Sequence, residues 1–171
     1  MRGKKNMIRL GLLLGIAIAV SAILGLAEGS PGIGAHAPRF SLPGLDGKVY
    51  SLAEVTRAHR VTLVNFWATW CPPCRREVPE LNAFYRAYKK RGVTVLAVNL
   101  KEARATVKAF ATKEAMPYPV LLDGAGKTAS AYGVYAIPAT YILDGRGVVR
   151  DIVIGGTTDA ALRAKVQRLL R

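Results

Sequence analysis

Cysteine and histidine are scarce in this chain, two of each in 171 residues. Two cysteines cannot build the framework of a disulfide-dense scaffold. A bridge between Cys71 and Cys74 closes a loop too small to restrain much of the unfolded chain. Structural zinc asks for four ligands. Cys71, Cys74, His36 and His59 are the whole cysteine and histidine supply, and neither histidine stands at metal-ligand spacing from the cysteines, so no metal or other cofactor is expected. Acidic residues are also few, 11 against 25 Lys and Arg, which leaves a net charge of +14. The excess is spread out. Its densest run, Lys89-Lys90-Arg91, falls at an expected helix end, where cations suit the helix dipole. With no basic helix interleaved with aromatics, a nucleic-acid partner is not expected.

What is present begins with an address. Arg2, Lys4, Lys5 and Arg9 precede an uncharged run, Leu10 to Ala27, of 18 residues. As a helix that run spans roughly 27 Å, enough for a bilayer core. Basic residues before it and Glu28 after it place the N-terminus inside and the remainder outside the cytoplasmic membrane. A cleaved signal peptide competes, with Gly25-Leu26-Ala27 as its small-x-small site. Both readings export the cysteines. The expected organisation is a signal-anchor over 1–27, a Gly/Ser/Pro-rich linker over 28–37 and one domain over 38–171. Without residues 1–27 the charge is still +10, which favours anionic lipid or acidic partners.

Within the domain, Phe40-Ser41-Leu42 and Val49-Tyr50-Ser51 flank Gly44–Gly47 and predict a β-hairpin. Val61–Ala68 and Val93–Leu100 are continuous β-branched and aromatic runs, as strands buried on both faces require. Between them a helix is predicted from Cys71–Pro73, with Val78, Leu81, Phe84, Tyr85 and Tyr88 on its apolar side and a kink at Pro79. A helix over Glu102–Ala115, a strand at Pro119–Leu122 and a short helix near Thr128–Tyr132 follow. The strands ATYILD and VVRDIVI form a pair, and a last helix over Asp159–Leu170 is capped by Thr157 or Thr158. This alternation implies an α/β fold, a mixed sheet covered by helices.

A Cys-x-x-Cys at a strand-to-helix junction suits thiol chemistry. The first sulfur sits where free N–H groups and the helix dipole favour a thiolate. The second lies one turn on, in reach of a mixed disulfide formed by the first. Cys71 is therefore the expected exposed nucleophile and Cys74 the buried resolving thiol. Pro72 and Pro73 carry no N–H, so the first donors open to Cys71 are those of Cys74 and Arg75. Weaker thiolate stabilisation makes a less oxidising pair, hence a reductant. Glu77, one turn past Cys74, admits two readings from spacing: a proton shuttle, or an acid near a helix start paired with Arg75 or Arg76.

The run Phe66-Trp67-Ala68-Thr69-Trp70-Cys71-Pro72-Pro73-Cys74, with Pro79 and Ile137-Pro138-Ala139-Thr140, resembles the thioredoxin superfamily. More narrowly, APRFSLPGLDGKVYSL and VNFWATWCPPCRREVP resemble the membrane-anchored ResA/TlpA-type thiol–disulfide reductases, whose thioredoxin fold carries an N-terminal hairpin and a helix–strand insertion, here Asn99–Tyr132. The resemblance implies a cis Ile137–Pro138 peptide facing the cysteines. It also implies a substrate groove formed by Trp70, Pro72, Pro73, Ile137 and Pro138, and an active-site role for Glu77. Thioredoxin's buried aspartate is Asn65 here, which cannot titrate. The implied partners are disulfide-containing exported proteins, apocytochrome c among them, and a transmembrane electron donor. A thiol oxidase or isomerase, or a copper chaperone, remains the alternative. A thiol peroxidase fits less well, because Ala68 stands where such enzymes have threonine.

Overall fold

The computed structural model describes residues 30–171. The expected membrane segment lies outside the described residues; among those described, no helix is long and apolar enough to cross a membrane.

The first elements are a hairpin, β1 (Ser41–Pro43) and β2 (Val49–Ser51), paired with Leu42 opposite Tyr50. A helix, α1 (Leu52–Ala58), leads to β3 (Val61–Trp67), whose seven residues are all buried. Then come α2 (Pro72–Tyr88), β4 (Val93–Leu100), α3 (Arg104–Lys113) and β5 (Val120–Asp123). The chain ends with α4 (Lys127–Ala131), β6 (Ala139–Asp144), β7 (Val149–Ile154) and α5 (Asp159–Leu169). The main sheet runs β5-β4-β3-β6-β7, parallel on the β4 side of β3 and antiparallel on the β6 side. Parallel neighbours need crossovers, and α2 and α3 supply them.

Alternation along β3 divides the core. Leu63 and Trp67 face α2 and α5 with Leu81, Phe84 and Leu162, while Val64 and Phe66 face the other way with Leu121, Tyr132 and Tyr141. Complete burial of each such side chain contributes about 1.5–3 kcal/mol. Asn65 falls on the α2 face by the same period of two. The ends of β3 are about 20 Å apart at strand rise. The cysteines stand beyond its last residue. His59 stands before its first, half-buried with Nδ1 2.8 Å from the Val55 carbonyl.

Several expectations change. No element is expected between the hairpin and β3, yet the chain forms α1 there, which buries Leu52 and Thr56 four residues apart. The helix after β4 is shorter at its start than the composition indicates, so Glu102 lies outside it. Other expectations hold: Pro79 lies inside α2, and Thr158 is the residue that caps α5, accepting from the Ala161 amide at 3.2 Å. The described part of the expected linker is docked rather than free. Ser30 Oγ donates to the Tyr132 carbonyl at 2.8 Å and Pro31 is buried. Farther on, the Gly34 amide donates to Val149 O at 2.8 Å and the Ala37 amide to Gly147 O at 2.9 Å. Gly133 is required beneath Ser30: its φ is +64°, and a Cβ there would stand 2.5 Å from Ser30 Cβ.

Candidate active site

The turn Ala68–Trp70 carries the chain from the end of β3 to Cys71, which is the N-cap of α2. Its Sγ accepts from the Cys74 amide at 3.2 Å. The Arg75 amide instead donates to the Cys71 carbonyl at 3.1 Å. Of the two donors left by the proline pair, one reaches the sulfur. The cysteines are joined as a disulfide, with Cα atoms 5.3 Å apart. The expectation of an exposed Cys71 is corrected: in this oxidised state it is 2% exposed, nearly as buried as Cys74 at 1%. Its Sγ turns inward to Cys74 and lies under Ile137, whose carbonyl oxygen is 3.7 Å away.

The Ile137–Pro138 peptide is cis. Pro138 is buried, and its carbonyl accepts from Gly155 N at 2.8 Å. Among the described residues the Ile137 carbonyl accepts no backbone hydrogen bond. Trp70 and Ile137 line one groove of about 470 Å³ with Leu100, Lys101, Val134 and Tyr135. Trp70 is 65% and Tyr135 85% exposed, unusual for such large apolar surfaces. Pro72 is exposed and Pro73 half-buried on the helix start, and neither lines this groove. Tyr135 has no motif to mark it in the sequence.

Glu77 turns into the core. It makes no salt bridge with Arg75 or Arg76 among the described residues, so the surface-pair reading is corrected. Oε2 accepts from Asn65 Nδ2 at 3.4 Å, while the same amide group donates to Thr140 Oγ1 at 2.9 Å. The Thr157 amide faces the carboxyl group without reaching hydrogen-bond geometry, and Oε1 has no partner. Burial dominates, and it pushes the Glu77 pKa up to about 7 against the weaker opposing pull of Asn65 and Thr157. Nearby Tyr118 is held protonated, by burial first and by the Glu77 charge second. Glu77 is therefore a carboxyl group that gains and loses a proton near neutral pH, one turn from Cys74.

Glu102 was not visible as a site residue. Leaving β4 just before α3, its carboxylate takes the Thr69 amide at 2.7 Å, the Thr69 hydroxyl, and Asn99 Nδ2 at 2.7 Å. Three donors on one carboxylate fix the turn that presents Trp70 and Cys71. Glu102→Ala strands those donors and is expected to cost about 1–3 kcal/mol, read as a lower denaturation midpoint with an unchanged slope. The two histidines do not join this site. His36 pairs with Val148 and His59 with Val55, near the opposite end of the sheet.

This arrangement has relatives. The model of the AhpC/TSA family matches residues 33–152, more than two-thirds of the chain. The chain belongs to the AhpC/TSA family. Within it, the thiol-disulfide oxidoreductase ResA of Geobacillus thermodenitrificans (strain NG80-2) is 33% identical over 165 residues, 96% of this chain and 94% of that one. ResA of Geobacillus kaustophilus (strain HTA426) is 40% identical over 126 residues, 74% of this chain and 71% of that one. The crystal structure of StoA from Bacillus subtilis matches with a TM-score of 0.66 at 26% identity, covering 76% of this chain and 97% of that one. This AhpC/TSA member has the thioredoxin-like α/β fold and is a thiol–disulfide oxidoreductase with a Cys71–Cys74 redox pair.

Proposed function

We propose that the protein is a membrane-anchored reductase of the ResA/TlpA type, acting outside the cytoplasmic membrane on disulfides of exported proteins. The observation that carries the direction is the single backbone donor at Cys71 Sγ. A poorly stabilised thiolate gives up its electrons readily. The substrate strand adds alongside Ile137 in the groove lined by Trp70, with Pro72, Pro73 and Pro138 shaping the backbone around Cys71.

In the reduced enzyme, the Cys71 thiolate attacks one sulfur of the substrate disulfide, and the other substrate sulfur leaves as a thiolate. Ionised Glu77 takes the proton of the Cys74 thiol. The Cys74 thiolate then attacks Cys71 Sγ, releases the second substrate sulfur and leaves the Cys71–Cys74 disulfide. Two electrons pass to the substrate, and Glu77 returns its proton toward the departing thiolate. The enzyme is left oxidised, so a transmembrane donor must reduce it. Apocytochrome c, with a cysteine pair that must be reduced before haem attachment, is the proposed substrate among family candidates.

The test is the reduction potential of the protein in thiol–disulfide buffers at neutral pH. A value near or below about −250 mV supports a reductase. A value near about −120 mV belongs to an oxidant, and the reading becomes thiol oxidase or isomerase.

A further inference from the structure

The described chain begins beside the dithiol groove. Ser30 Oγ bonds the Tyr132 carbonyl, and Ser30 packs on Gly133. The next residue, Val134, lines the groove together with Trp70 and Ile137. The apolar run ends at Ala27, three Cα steps before Ser30. Those steps span at most about 11 Å. Whatever surface holds residues 10–27 therefore lies close to the groove, not to the far end of the sheet.

The groove edge has the chemistry of a membrane interface. Trp70 and Tyr135 are rings with a polar handle, both exposed and both lining this groove. Lys101 lies over Gly126 in the groove wall, and exposed Lys127 follows Gly126 directly. No carboxylate is among the groove's lining residues. Lys101 itself holds a left-handed φ of +55°, uncommon for a residue with a Cβ.

We propose that the Trp70–Tyr135 rim rests on the anionic phospholipid surface of the membrane that holds the N-terminal segment, so that the dithiol groove faces the bilayer. This rests on the anchored reading given above. The orientation brings the oxidised Cys71–Cys74 pair to the plane where a membrane-embedded dithiol donor presents its own sulfurs. Exported substrates reach the groove from its open side.

The opposite pole offers the competing contact, since His36, Arg39, Arg57 and Arg146 line a pocket of about 310 Å³ there. Tryptophan quenching separates the two. The chain has two tryptophans, and Trp67, at 2% exposure, is an internal reference. The full chain is reconstituted into phosphatidylcholine–phosphatidylglycerol vesicles containing lipids brominated high on the acyl chain. Trp70 emission is expected to fall about twofold or more, as for a ring in the interface. Trp70→Phe should remove that quenching, and Arg146→Trp in the Trp70→Phe background should not restore it. Quenching at position 146 with none at Trp70 overturns the orientation and leaves the anchored reductase standing. An unquenched Trp70 that is shielded from aqueous acrylamide only in native membranes overturns it in favour of a protein partner. A chain that does not float with vesicles overturns the anchored reading and this inference together, whatever its reductase activity.

Discussion

Cys74→Ser protein, reduced and mixed with a disulfide-bonded substrate, is expected to accumulate as a covalent adduct through Cys71, whereas Cys71→Ser protein forms none. The asymmetry follows from position. Cys71 is the N-cap of α2, receives the Cys74 amide and lies against the Ile137 carbonyl. Cys74 is enclosed one turn along, facing Cys71. Without the second sulfur, the mixed disulfide has no internal attacker and persists until an external thiol arrives. Without the first, a serine hydroxyl stays protonated at neutral pH and cannot replace the thiolate. Turnover should fall by at least about 10³-fold in either variant. Non-reducing electrophoresis and intact mass of the adduct check both halves. An adduct that forms equally through Cys74 would reverse the assigned roles, and binding without any adduct would favour a chaperone.

Glu77→Gln should change stability and exchange with pH in opposite senses. The carboxyl group's pKa rises from 4.5 in the unfolded chain to about 7 in the fold. Between those values the folded chain holds a proton that the unfolded chain has lost. Stability is fully present below the lower value and is lost as pH rises through the upper one. The loss is of order 3 kcal/mol. Glutamine stays neutral and keeps an acceptor for Asn65. The variant should therefore melt several degrees above the parent at pH 8 and close to it at pH 4, at about 2–4 °C per kcal/mol. Exchange should respond the other way. The parent gains rate as Glu77 ionises and can take the Cys74 proton. The variant lacks that step and should be slower by about 10²-fold at pH 8. Melting curves and stopped-flow thiol exchange across pH 4–9 measure both. A variant more stable at pH 8 but unchanged in rate would reduce Glu77 to a buried strain with no catalytic part.

The central strands were legible because burial on both faces demands unbroken apolar runs, which Val61–Ala68 and Val93–Leu100 supply. The dithiol at the head of α2 was equally plain, since strand, Cys-Pro-Pro-Cys and an amphipathic pattern follow one another directly. α1 was not. Its seven residues give barely two turns, too few for a periodicity to stand out. The direction of Glu77 was also hidden. Helical spacing places it a turn from Cys74, but whether it meets water or core depends on Asn65 and Thr140 in strands far along the chain. Glu102 shows the same limit, because its bonds to Thr69 cross 33 residues of sequence. Nothing local distinguishes it from Glu114 at the other end of the same segment.

The docked stretch before the hairpin has a consequence for solubility. An outermost strand offers unpaired backbone groups to any neighbouring molecule, the usual seed of aggregation. Here the start of β7 is covered where Ala35 accepts from Val149 and Gly34 donates back to it. At the far side, Gly44 bridges Leu121 and the Leu45 amide donates to Val120 O at 2.9 Å, so the hairpin corner covers β5. Part of each margin of the sheet is thus covered by chain from residues 34–45, ahead of the strands it protects. A soluble version cut at residue 38 would keep the dithiol and lose one of its two guards against self-association.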